Sequence, residues 1–196
     1  MKKDLIELVF ILDRSGSMAG LESDTIGGYN NFISQQDKTK ELMVTTVLFD
    51  HQYEVLYDGV KPEMAMIDAS QYFVRGSTAL LDAVGNTITQ IDRRHLLSKT
   101  EFVPEKTIFI ITTDGMENAS HEYRYDQIKT MITNKREQSH WEFVFLGANI
   151  DVDRESDKLG INRQFSHKHT NSKQGIKEMY SACNVMCDEI INSKKQ

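Results

Sequence analysis

The chain has 196 residues, 29 of them acidic against 23 basic, for a formal net charge of −6. That balance excludes nucleic acid and an anionic membrane surface as main partners, because both call for a surplus of Lys and Arg. Two prolines, eleven glycines and 39% hydrophobic residues exclude a long disordered or collagen-like region, and the length suits one soluble domain over 1–196.

Met1-Lys2-Lys3 and the apolar run Leu5 to Leu12 look superficially like a secretory signal. Asp4 and Glu7 interrupt the run, however, and it passes straight into Asp13-Arg14 with no small-residue cleavage site. It is also too short to span a bilayer, so it reads as a first strand buried on both faces. Leu21, Ile26, Tyr29, Phe32 and Ile33 recur at helical spacing, which Gly27-Gly28 weakens. Leu42 to Phe49 and Tyr53 to Tyr57 read as strands. The short Asp50-His51-Gln52 between them predicts a hairpin, hence an antiparallel edge strand.

Lys61 to Ser77 is irregular, punctuated by Pro62 and Gly76. Leu80, Leu81, Val84, Ile88 and Ile91 then mark an amphipathic helix, and Thr107 to Thr112 a buried β-branched strand. Ile128, Met131 and Ile132 mark a third helix and Trp141 to Leu146 a further strand. Asp151 to Leu159 reads as a short helix capped by Asp151, and Gln164 to Ser166 as a weakly signalled last strand. A terminal helix carries Ile176, Met179, Tyr180, Cys183, Met186, Cys187 and Ile190. Its two cysteines stand four apart, where a disulfide is strained. They read as apolar core thiols and suit a reducing cytosol.

Strands alternating with helices predict an α/β fold: a doubly wound, mainly parallel sheet with helices on both faces and one antiparallel edge strand. No repeat or linker divides it. In such sheets ligands bind beyond the carboxyl ends of the strands, which directs attention to the segments after Leu12, Phe49, Thr112 and Leu146.

Directly after the first strand, Asp13-Arg14-Ser15-Gly16-Ser17 puts a carboxylate and two hydroxyls at alternating positions in one turn. Such oxygens suit a hard divalent cation, and Gly16 lets the backbone bend so that both serines point inward. Taken alone, the same residues also make a helix cap or a plain turn. Gly76-Ser77-Thr78 adds a hydroxyl just before a helix. Thr112-Thr113-Asp114-Gly115 adds a second carboxylate at a strand end. Together they predict an all-oxygen site for Mg2+ or Mn2+.

In that order and on those elements, Asp13-x-Ser15-x-Ser17, Thr78 and Asp114-Gly115 resemble the metal-ion-dependent adhesion site of a von Willebrand factor type A (VWA) domain. The apolar run before Asp13 and the Gly-Ser-Thr before the helix are similar to that family too, and the resemblance extends over essentially the whole chain. It implies a Rossmann-like sheet and a protein-binding module without catalytic residues, carrying Mg2+ or, alternatively, Mn2+ or another divalent ion. It also implies that Ser15 and Ser17 bind the metal directly and that Thr78 does so in at least one state. Asp13 and Asp114 bind directly or through water, and an Asp or Glu of a protein partner fills the remaining position. With no signal peptide, anchor or attached domain read from the sequence, the expectation is a stand-alone cytoplasmic, bacterial member.

The competing reading is a Mg2+-dependent phosphoryl hydrolase with Asp13 as nucleophile. That chemistry wants a second acid where Ser15 stands and a lysine near the phosphate, and no lysine adjoins the three loops. An EF-hand would need Gly in place of Met18, and no Gly-x-Ser-x-Gly elbow or glycine-rich phosphate loop occurs. His167 and His169, projecting on one side of an extended segment, read as surface residues more readily than as ligands of a second metal. His51, His121 and Glu117 read as a solvated rim, and Arg14 as pointing outward to meet a partner's acid.

Overall fold

The computed structural model describes residues 1–36 and 40–193. β1 (Lys2–Asp13) is buried from Leu5 to Asp13, as expected of a strand covered on both faces. Its side chains alternate: Leu8, Phe10 and Leu12 enter one core, Val9 and Ile11 the other. Parallel neighbours flank it on both sides, β2 (Glu41–Phe49) and β4 (Pro104–Thr113). β3 (Tyr53–Val60) pairs antiparallel with β2. In the hairpin the backbone N–H of Gln52 donates to Asp50 Oδ1 at 2.7 Å, a local bond that tightens the turn. Beyond β4 lie β5 (Trp141–Ala148) and β6 (Ser166–His169), both parallel. Among the described residues the sheet order is thus β3-β2-β1-β4-β5-β6.

Helices cover both faces. α1 (Glu22–Gln35) and α5 (Lys173–Asn192) pack on one, where Phe10 meets Tyr29 and Phe32 edge-on at 4.9 and 5.3 Å. α2 (Leu80–Leu97), α3 (Tyr125–Ser139) and α4 (Val152–Leu159) pack on the other, over Phe109, Phe143 and Trp141. Burial of each such side chain contributes about 1.5–3 kcal/mol, so the two cores carry the fold. Gly28 does not break α1; it is where α1 meets α5. A Cβ there would lie 2.3 Å from the Tyr180 ring. Cys183 and Cys187 are free thiols buried in the same core.

The last strand departs from expectation. Arg163–Phe165 form a 3-10 turn, with Asn162 accepting from the Gln164 N–H at 3.1 Å, and β6 begins only at Ser166. Ser-His-Lys-His has weak strand propensity of its own; pairing with Phe145–Ala148 of β5 supplies it. No helix among the described residues is long and apolar enough to cross a membrane. β1 connects to β2 on one side of itself while β4 connects onward to β5 on the other. The order therefore reverses between the carboxyl ends of β1 and β4, the place where such sheets open a crevice.

Candidate metal centre

Asp13 closes β1 at that reversal. Its Oδ1 accepts from the Ser15 N–H and its Oδ2 from Thr113 Oγ1 at the end of β4, both at 2.7 Å. Tyr72 donates its hydroxyl to the Asp13 carbonyl at 2.6 Å, which ties the irregular segment before α2 to the same point. Gly16 N–H donates to the Gly76 carbonyl at 3.1 Å, bringing the Thr78 segment against the serine turn. A run of oxygens results. Thr78 Oγ1 stands 3.0 Å from Ser15 Oγ, Ser15 Oγ 3.1 Å from Ser17 Oγ, and Ser17 Oγ donates to Asp114 Oδ1. Gly115 keeps the spot open, since a Cβ there would lie 3.1 Å from Ser17 Oγ and 3.2 Å from Thr78 Oγ1. The structure brings all five expected residues together.

The electrostatics of this cluster are unbalanced. Burial pushes the Asp13 carboxyl up to about 6, against the hydrogen bonds from Ser15 and Thr113 that favour its charge. Burial raises Asp114 as well. No Lys, Arg or His among the described residues pairs with either carboxylate; the nearest in sequence, Arg14, is engaged elsewhere. The outward Arg14 expected from sequence is corrected here. Its N–H donates to the Phe49 carbonyl, which carries the pleat one residue past β1 and turns Arg14 to the side opposite Asp13. Its fully buried side chain meets Asp50 Oδ2 at 3.0 Å and Glu54 Oε2 at 2.7 Å.

Two buried carboxylates without a counter-charge, beside three hydroxyls, fit a hard divalent cation. Six oxygens at about 2.1 Å from such an ion sit about 3 Å from their neighbours, the spacing seen between these hydroxyls. Among the described residues no group of three or more His, Cys, Asp or Glu could hold a metal, so the donors here are mainly hydroxyls.

No protein-family model matches the chain, and no curated protein matches it. Solved structures do. The vWF domain of the type V pili tip protein Mfa5 from Porphyromonas gingivalis matches with a TM-score of 0.68, covering 97% of each chain at 10% identity. The chain has the fold of a VWA domain. The manganese-loaded TRAP protein of Plasmodium vivax shares this VWA fold over 97% of this chain and 75% of its own, with TM-score 0.68 and 15% identity. So does proximal thread matrix protein 1 of the mussel byssus, in a structure with a zinc-occupied MIDAS motif, with TM-score 0.65 and 15% identity. The match covers 93% of this chain but only 46% of the thread protein, so the chain spans about half of that protein's length.

Within the VWA fold, several residues at the site gave no usable sequence signal. Thr113, one residue past the strand read from the sequence, is the donor to Asp13 Oδ2. Asn171, in the loop between β6 and α5, donates from Nδ2 to Asp114 Oδ2 at 3.0 Å and to the Ser17 carbonyl at 3.3 Å. Glu117 is no solvated rim residue. Its Oε2 accepts from Leu81 N–H at 3.0 Å and its Oε1 from Ala119 and Ser120 N–H at 2.9 and 2.8 Å, so it caps α2. Asn118 Oδ1 likewise receives the Thr78 N–H at 3.0 Å and steadies that residue's backbone. His51 and His121 are exposed at the rim. His169 is not a surface residue: it is buried beside α5, its Nδ1 3.1 Å from the Thr170 carbonyl, and burial lowers its pKa.

Proposed function

We propose that this chain is a Mg2+-dependent protein-binding module. Asp13, Ser15, Ser17, Thr78 and Asp114 hold the ion directly or through water, and an Asp or Glu of a protein partner completes the coordination. One observation carries the reading: the hydroxyls of Ser15, Ser17 and Thr78 converge on a pair of buried carboxylates that lack a counter-charge. Bound Mg2+ supplies the missing positive charge and offers exchangeable positions where an anion can replace water. The manganese and zinc described in the TRAP and thread-protein structures support a divalent ion and make Mn2+ a fitting substitute. A net charge of −6 favours a protein partner over nucleic acid or membrane, and leaves the ion as the main source of attraction for a carboxylate.

The same geometry weighs against phosphoryl transfer by Asp13. A nucleophile must touch its substrate, whereas Asp13 has no accessible surface and both its oxygens are held; an ion, by contrast, can be held through an intervening water. In this reading the module works in the bacterial cytoplasm, where the buried free thiols Cys183 and Cys187 are stable; recovery of the native protein outside the cell membrane would refute that placement.

The test is affinity capture from native extract, in parallel with Mg2+ and with chelator, followed by calorimetry on the captured partner. Partner binding is expected in Mg2+ and lost in chelator and in Asp13→Asn. Equal affinity in both media would sink the adhesion-site mechanism.

A further inference from the structure

Every carboxylate oxygen at the site already has a protein donor. Asp13 uses both of its oxygens on Ser15 N–H and Thr113 Oγ1. Asp114 presents Oδ1 to the Ser17 hydroxyl, while its Oδ2 is taken by Asn171, which stands in a different loop 57 residues away. Asn171 reaches two acceptors from one nitrogen, Asp114 Oδ2 and the Ser17 carbonyl, so the two N–H groups of its amide are both aimed into the site. The reversed amide would set its oxygen against a carboxylate and a carbonyl, so the bonding pattern itself selects this orientation.

Cations differ in what they ask of a carboxylate. Ca2+ gathers six to eight oxygens and commonly draws both oxygens of one carboxylate, whereas Mg2+ takes six ligands, several of them waters. We infer that Asn171 determines which cation this site takes. By holding Oδ2 of Asp114, it confines that carboxylate to a single oxygen toward the ion, keeps the coordination number low and disfavours Ca2+. On Asp13 both oxygens are held, by Ser15 N–H and Thr113 Oγ1, so that carboxylate does not chelate the ion with both oxygens either. The inference rests on the ion-site reading above and assigns Asn171 a positioning role, acting through Asp114.

The test is calorimetric titration with Mg2+, Mn2+ and Ca2+, each alone, into the wild type and into Asn171→Ala, Asn171→Asp and Asp114→Asn. In Asn171→Ala the affinity for Ca2+ relative to Mg2+ is expected to rise on the order of tenfold, the weight of one hydrogen bond to a charged group. Asn171→Asp, which puts an oxygen where the donor stood, shifts the ratio the same way and further. Asn171 is exposed, so melting in chelator should stay close to wild type in Asn171→Ala. The Ca2+ to Mg2+ ratio is a readout that a merely structural asparagine would not move. If both Asn171 variants keep the wild-type ratio while Asp114→Asn loses ion binding, the inference is overturned and the ion site stands. If the wild type binds no divalent ion, or Asp114→Asn binds as well as wild type, the ion site falls and the inference with it.

Discussion

Asp13 shows how one side chain can be both well bonded and costly. Its hydrogen bonds fix its place, yet burial raises its carboxyl to about 6, so near neutral pH the cation-free protein carries a charge it would be more stable without. Asp13→Asn keeps the shape: the amide oxygen still receives the Ser15 N–H, and the amide nitrogen can donate to Thr113 Oγ1 once that hydroxyl turns. In chelator this variant is expected to be more stable than wild type, by up to about 3 kcal/mol, and to show no rise in melting temperature with Mg2+. A rise equal to that of the wild type would place the ion elsewhere. On the proposed reading, Thr78 separates ion binding from partner binding. With Ser15, Ser17 and both aspartates retained, Thr78→Ala should weaken Mg2+ binding only slightly but weaken partner binding about tenfold at saturating Mg2+; calorimetry on both steps measures the difference.

At the scale of the elements, α1 carries two adjacent glycines with opposite roles. Nothing stands within 4 Å of a Cβ on Gly27, so Gly27→Ala should stabilise by up to about 1 kcal/mol through helix propensity alone. On Gly28 the same methyl would overlap the Tyr180 ring of α5. Gly28→Ala should therefore destabilise by about 1–3 kcal/mol, less the propensity gain. Denaturant melts of the two variants distinguish them by sign. β1 and α2 are joined by a second buried charge. Glu7 has no accessible surface and bonds to His95 Nε2 at 2.8 Å, to Thr45 Oγ1 at 2.8 Å and to Arg94. Burial opposes its ionisation, but His95 and Arg94 outweigh burial and hold its carboxyl below the ordinary 4.5. This network thus contributes stability that is complete above that ordinary value and is lost as pH falls through the lowered one. Glu7→Gln should cost about 3–5 kcal/mol near neutral pH, and its deficit should shrink as the medium is acidified. Unfolding free energies measured across that range check it; a deficit independent of pH would show that packing, not charge, is at stake.

For the molecule as a whole, the proposed ion binding is coupled to folding. The serine turn, the Thr78 segment, the end of β4 and the loop before α5 come together only in the native sheet, so an ion bound there stabilises that state alone. Mg2+ at a hundredfold excess over its dissociation constant should add about 2.7 kcal/mol, read as a rise in melting temperature that chelator reverses.

Much of this architecture was legible in the sequence, because period-two and period-3.6 apolar patterns are properties of neighbouring residues, and so is a set of oxygens placed just past a strand. The sheet class, the antiparallel edge and the residues Asp13, Ser15, Ser17, Thr78 and Asp114 were all read that way, and the structure brings those five together. What only the tertiary structure decided depends on residues far apart in the chain. β6 is a strand because β5 pairs with it, and His169 is buried because α5 packs beside it. Arg14 turns inward because Asp50 and Glu54 await it, and Glu117 caps a helix that begins 37 residues before it in sequence, at Leu80. Asn171 meets Asp114 across 57 residues. A hydrogen-bonding side chain carries no periodic signal of its own, so its partner is settled only when packing brings the two segments together.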